Sequence, residues 1–335
     1  MRLTSAALIA GPIVLLLVSP WLAARLFDGR APARRVATFH LLALVGMAAL
    51  PLVVLPCLAI VRPSDLAVLV SPSVIHLAQT ASRALAGAYL LRLGWFAVAA
   101  ARATSRLGAS TALAAAEIPP VSSAAPVTHV LASPRPFAYT LGGRSGGVVV
   151  SRGLLRLLDE DERDAMLAHE LAHLRLRHHR LLGFAQVVTA TLGPVVPAVY
   201  QAAASLAREL EVIADQAAAG EVGDRRVVAR ALAKAALAAA STPVPTTTPA
   251  FGGAGDLAYR LDRLTDDRPR EDRHRLAIGA YGLLATGLLA ILGGTVQPAG
   301  LVTGITVLGP TLLGIGWLFC RGVAPPTRTL RIPAP

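Results

Sequence analysis

The sequence predicts a mainly α-helical, polytopic membrane protein carrying an inserted α+β domain, and three observations lead there. Of 335 residues, 54% are hydrophobic and only 16% charged, a balance too apolar for an ordinary soluble domain. Uncharged apolar stretches of membrane-helix length gather towards both ends of the chain. Between them lies a more polar segment in which strand-like runs give way to helical periodicity.

Taken in order, Leu3 to Ala24 and Val36 to Val61 are each long enough to cross a hydrocarbon core, which needs a helix of about 20 residues. The first is read as a retained helix and not a cleaved signal, because a second span follows after a short arginine-rich loop. Pro72, His76 and Gln79 weaken Leu66 to Ser82, so a single third crossing is centred on residues 84–104, with Arg92 facing other helices or snorkelling. Near the end, Leu276 to Gly293 and Ala299 to Cys320 form a hairpin around the uncharged turn Gly294 to Pro298. Arg25, Arg30, Arg34 and Arg35, then Arg102 and Arg106, then Arg321, Arg328 and Arg331 all fall on one side if the chain crosses five times. The positive-inside rule then puts the C-terminus and residues 105–275 in the cytoplasm and the N-terminus outside.

The expected organisation is therefore an N-terminal membrane region (1–104), a linker (105–126), a cytoplasmic domain (127–275), a transmembrane hairpin (276–320) and a cytoplasmic tail (321–335). Leu107 to Pro126 is rich in Ala, Ser and Pro, as suits a linker. Val127 to Leu131, Phe137 to Leu141, a glycine-rich turn at Gly142 to Gly147, and Val148 to Ser151 give a β-hairpin signal. Ser241 to Gly255, full of Pro, Thr and Gly, reads as a loop. The formal charge of +12 rests on arginine, Lys234 being the only lysine. These arginines border apolar runs and form no basic stripe interleaved with aromatics, so direct nucleic-acid binding is not expected. Cys57 and Cys320 fall at opposite membrane faces and read as small core residues, not a disulfide.

The chemistry is concentrated in Leu158 to Arg180, read as one helix with Asp159 as N-cap and Glu162 completing a capping box. It contains His169-Glu170-Leu171-Ala172-His173. Residues four apart share a helical face, so both imidazoles can point at one zinc ion while Glu170 serves as general base. A catalytic zinc takes three protein ligands and keeps one position open, which demands a further donor downstream. Glu211 fills that role: Asp215 lies one turn on, on the same face, where it can hydrogen-bond a ligating histidine and fix its tautomer. Glu209 is the competitor and points elsewhere on the helix.

At a rise of about 1.5 Å per residue, a helix from His173 to Gly193-Pro194 covers roughly 30 Å and a returning helix to Glu211 roughly 25 Å. Uncharged Leu181 to Ala207 is thus a hairpin broken at Gly193, Pro194 and Pro197, not a crossing. His178 and His179 read as a basic helix end near lipid headgroups. His40, His76, His129 and His274 read as structural.

On Pro136 to Tyr139, Val148 to Leu154, the His-Glu-Leu-Ala-His helix and Glu211 to Asp215, the chain resembles the antibiotic-sensor (BlaR/MecR-like) membrane metallopeptidases, and more distantly the HtpX-like and CAAX prenyl-protein proteases. That resemblance implies a gluzincin-like zinc protease domain in a bacterial cell membrane, with zinc on His169, His173 and Glu211 and Glu170 as catalytic base. It also implies an edge strand that receives substrate as an added β-strand, here Val148, Val149, Val150 and Ser151. The expected partners are a protein or peptide substrate, the lipid bilayer, and by analogy a cytoplasmic transcriptional repressor. The β-lactam sensors carry a penicillin-binding domain after the last span, whereas only residues 321–335 follow Cys320 here, so β-lactam sensing by this chain alone is not expected. The rival expectation is a catalytically silent zinc-binding membrane signal transducer. A polytopic transporter with a chance motif is disfavoured by the large polar insertion.

Overall fold

The computed structural model describes residues 17–21, 31–59, 71–115, 128–142, 147–240 and 254–265. These comprise helices α1 (Ala33–Ala59) and α2 (Pro72–Ala115), strands β1 (Thr128–Leu131), β2 (Ala138–Leu141) and β3 (Gly147–Ser151), and helices α3 (Arg152–Leu157), α4 (Glu160–Arg175), α5 (His178–Leu192), α6 (Ala198–Val222), α7 (Arg225–Ala240) and α8 (Ala254–Thr265). The expected first span lies almost wholly outside the described residues, and the expected C-terminal hairpin lies entirely outside them. The described residues divide into two compact units, the first holding those up to Ala99 and Phe184–Ala203, the second those within Ala100–Gly183 and from Ala204 to Thr265.

Helices α1 and α2 contain stretches, Ala33–Leu52 and Pro72–Gly108, long and apolar enough to cross a membrane. Helix α2 begins at Pro72, where proline is tolerated in a first turn, and it joins the described part of the diluted segment, residues 72–82, to the expected third span in one helix. It also continues to Ala115, into the segment read as linker. The alanines there are strong helix formers, which composition alone did not separate from a flexible tract. Tyr89 donates to the Ala48 carbonyl at 2.7 Å. Arg92 donates to the carbonyls of Ala190 and Thr191 at 3.0 and 3.2 Å and lies over the Phe96 ring. These carbonyls belong to the last turn of α5, whose acceptors have no partner within their own helix. Arg92 is thus a C-terminal cap delivered from another helix.

In the second unit, β3 lies between its neighbours, giving the order β1-β3-β2. It pairs parallel to β1 (Thr128 opposite Val148) and antiparallel to β2 (Ala138 opposite Val150). The expected hairpin is therefore the β2–β3 half of a mixed sheet. The expectation that Val148, Val149, Val150 and Ser151 form an edge strand that binds substrate is wrong. Both sides of β3 are occupied, and all five of its residues are buried. Ser151 does something else: its hydroxyl caps α3 by accepting from Leu154 N–H and also accepts from Phe137 N–H.

Helix α4 starts as the sequence predicts, with the Asp159 and Glu162 side chains each bonding the other's backbone N–H. Glu162 is fully buried and also accepts from Lys234 at 2.6 Å, which ties α4 to α7. Leu167 and Leu171 pack on the sheet residues Val130, Val148 and Val150. Ala165 and Ala168 meet Val227, Val228 and Ala231 of α7. Small residues on that second face let α7 approach closely. What remains of the helix circumference carries His169, Glu170 and His173.

The helix expected to run to Arg180 breaks instead at Arg177, which has φ 56°. Leu176 N–H and Arg177 N–H bond back to Ala172 and Leu174 carbonyls, and α5 restarts at His178. This left-handed cap is usually a glycine, because a side chain there costs about 1 kcal/mol. The expected break further on is present: α5 ends at Leu192, and α6 begins at Ala198 after Gly193-Pro194-Val195-Val196-Pro197. At Gly193 a β-carbon would collide with the Thr189 carbonyl and the Tyr200 ring, so glycine is required.

Candidate metal centre

Helix α4 presents His169 and His173 one turn apart, and α6 brings Glu211 to them. One ligand atom from each of the three lies within 4.8 Å of the others. The Nε2 atoms are 3.1 Å apart. Glu211 places Oε1 at 3.4 Å from His173 Nε2 and Oε2 at 3.5 Å from His169 Nε2. Two donors bound tetrahedrally at about 2.0 to 2.1 Å from a zinc ion are roughly 3.3 Å apart. The separation between the two nitrogens and that from each nitrogen to its nearer carboxylate oxygen bracket this value, and two imidazoles with one carboxylate are the donor chemistry of a catalytic zinc site. The residues fit the ion the sequence implies.

Each donor is held from behind. His169 Nδ1 is 3.0 Å from Asp215 Oδ1. Asp215, itself buried, accepts two parallel bonds from Arg260, from Nε at 2.8 Å and Nη2 at 2.7 Å. Arg260 Nη1 also lies 3.1 Å from Glu211 Oε2. His173 Nδ1 is 2.9 Å from His178 Nδ1. Glu209 points away, accepting from the Tyr259 hydroxyl at 2.7 Å. Tyr259 and Arg260 are neighbours on α8, so this bond helps hold the helix that carries Arg260.

Glu170 is buried beside the pair, and the Thr140 hydroxyl lies 2.7 Å from its Oε2 and 2.9 Å from its backbone carbonyl. A cleft of about 520 Å³ opens here, lined by Phe137, Tyr139, Thr140, Glu170, His173, His179, Glu211 and Arg260 among others. Edge strand β2 forms one wall. Ser151 N–H bonds the Phe137 carbonyl, so the antiparallel alternation directs the backbone groups of Ala138 and Thr140 to the edge away from β3.

The electrostatics couple these groups. Burial alone lowers the pKa of His169, but its bonds to Asp215 and Glu211 outweigh this and push it up to about 10. Burial raises Glu211, yet His173, His169 and Arg260 hold it well below the usual carboxylate range. Burial likewise opposes ionisation of Asp215 and is overcome first by Arg260. Burial depresses both His173 and His178. The positive charges of His169 and Arg260 thus offset the two carboxylates of Glu211 and Asp215.

Two expectations need correction. His178 is not a helix end at a lipid surface: it is fully buried and contacts His173. His179 is half-buried, lines the cleft and lies so close to Gly142 that a β-carbon there would overlap its ring. The break at Arg177 turns both inward. Of the other histidines, His40, His76 and His129 are outside the cluster, and His274 lies outside the described residues. Thr140 and Arg260 were missed. Thr140 carries a faint signal, being a polar residue within an apolar strand. Arg260 carries none that separates it from the other arginines.

Comparison with known proteins gives a consistent picture over part of the chain. The sequence profile of peptidase family M48 matches residues 102–252. The chain is 39% identical over 123 residues to the plastoglobule-localized metallopeptidase 48 of Arabidopsis thaliana, covering 33% of this chain and 35% of that protein. It is 43% identical over 54 residues to a protease HtpX homolog of Pelotomaculum thermopropionicum (16% and 19% of the two chains). To the corresponding homolog of Dictyoglomus thermophilum it is 40% identical over 65 residues (19% and 22%). The chain therefore spans about a fifth to a third of the length of these relatives. No solved structure matches it.

Proposed function

We propose that this chain is a membrane-embedded zinc-dependent metalloendopeptidase that hydrolyses peptide bonds of a protein substrate at the cytoplasmic side of a bacterial membrane. The observation that carries this reading is the triangle of His169 Nε2, His173 Nε2 and a Glu211 oxygen beside the Glu170 carboxylate, at the floor of an open cleft. The match to peptidase family M48 over residues 102–252 supports it.

His169, His173 and Glu211 would hold the zinc. When bound, zinc polarises a water and a substrate carbonyl and lowers the pKa of that water. Glu170 takes the water proton as the carbonyl is attacked and returns it to the departing amine nitrogen. The Thr140 hydroxyl beside Oε2 restricts the carboxylate to one rotamer while its other oxygen stays free for the proton. Asp215 keeps the hydrogen of His169 on Nδ1, and Arg260 keeps Asp215 ionised.

Substrate binds as an extended strand along β2 and not β3, pairing with the outward N–H and C=O groups of Ala138 and Thr140. This places its scissile carbonyl beside Glu170, because Thr140 bonds both the substrate strand and the catalytic carboxylate's helix. A cytoplasmic repressor and a membrane protein are the two substrate classes that follow from the cytoplasmic placement. The apolar stretches of α1 and α2 anchor the protein in the bilayer.

The test is to measure zinc content and cleavage of labelled casein on the same detergent-purified preparation. Wild type is expected to hold about one zinc per chain. Glu170→Ala keeps the metal and loses cleavage; His169→Ala loses both. Stoichiometric zinc without cleavage of any substrate tried would favour a silent zinc-binding transducer.

A further inference from the structure

His173 offers Nε2 to the cluster, 3.1 Å from His169 Nε2 and 3.4 Å from Glu211 Oε1. For that nitrogen to give a lone pair to a metal, the neutral ring must carry its hydrogen on Nδ1. That hydrogen needs an acceptor, and His178 Nδ1 stands 2.9 Å away, the two rings meeting edge to face at 85°.

We infer that His178 is a positioning residue, which accepts the Nδ1 hydrogen of His173 and so fixes the tautomer and tilt of this ligand for the metal. The inference rests on the metal-site reading above.

The backbone supports it independently. In a continuous α-helix, residues five apart point about 140° away from each other, so His178 would face away from His173. The left-handed residue at Arg177 is what rotates it back. The chain accepts an unfavourable conformation at a residue other than glycine at the one position where it creates this contact. A second cost points the same way. With Nδ1 accepting, His178 carries its hydrogen on Nε2, an atom that is buried and has no hydrogen-bond partner among the described residues. An apolar side chain of similar size would fill the space without stranding a donor. The two histidines are therefore oriented by different means: His169 by a carboxylate clamped to an arginine, His173 by a neutral imidazole that adds no charge. Groups in this relation to a metal ligand commonly govern affinity.

The test uses the full chain purified in detergent, with zinc affinity measured by chelator competition and ligand geometry by the visible spectrum of the cobalt-substituted protein. His178→Asn places an amide oxygen where Nδ1 was; His178→Leu places nothing; His178→Gln reaches towards the Nε2 position instead. Leu and Gln are expected to weaken zinc binding by about 10- to 100-fold and alter the cobalt spectrum, with Asn within about threefold of wild type. Melting of the metal-free proteins checks that each variant folds, and Gln stands in should Leu fail. Equal affinity in wild type, Leu and Gln would overturn the inference, as would equal losses in Asn and Leu. Absence of zinc from wild type itself would instead overturn the metal-site reading.

Discussion

Glu170 has one carboxylate oxygen within hydrogen-bonding distance of Thr140, an arrangement that separates holding the side chain from using it. If Glu170 is the base, Glu170→Gln should leave zinc content unchanged and lower kcat by about 10² to 10⁴, the usual worth of a positioned proton acceptor. Steady-state cleavage with metal analysis on the same sample checks this. Arg260 plays a different part. It pairs with the buried Asp215, so Arg260→Met should destabilise the fold by about 3 kcal/mol, because a buried carboxylate is left without its partner. Thermal melting in detergent measures the loss, and adding Asp215→Asn should recover part of it. The legibility of these residues follows from distance along the chain. His169, His173, Glu211 and Asp215 could be proposed because four-residue spacing on a helix is a local fact. Thr140, His178 and Arg260 reach the site only through strand pairing, a helix break and the docking of α8, none of which leaves a periodic trace.

The same division appears at the level of elements. The start of α4 was legible because a capping box is written within four residues. Its end was not, because arginine at a left-handed position looks like arginine anywhere. Arg177→Gly should relieve that conformation and stabilise the protein by up to about 1 kcal/mol, seen as a higher melting temperature. No rise, or a fall, would show that the Arg177 side chain contributes more than its backbone costs. The existence of β1, β2 and β3 was readable from composition, but their order was not. Which strand lies in the middle depends on pairing between β1 and β3, separated in sequence by β2, and the error over the substrate edge came from there.

For the whole molecule, the apolar character of α1 and α2 was plain from the sequence, since a long run of mostly apolar residues needs no tertiary information. Joining the segment from Pro72 to the third span, and continuing it to Ala115, needed the structure. The metal centre draws on α4 and α6, and α8 backs it through Arg260, so an ion bound there should tie these elements together. Chelation of the purified protein is expected to lower its melting temperature, and added zinc to restore it, because a ligand that binds only the folded state stabilises it by mass action.

The most direct test is X-ray absorption at the zinc edge on the full chain, beside its His169→Ala and Glu211→Ala variants. The expected first shell has two imidazole nitrogens and carboxylate or water oxygen at about 2.0 to 2.1 Å, with zinc lost or weakly held in each variant. Stoichiometric zinc that persists in both variants with an unchanged spectrum would contradict the account.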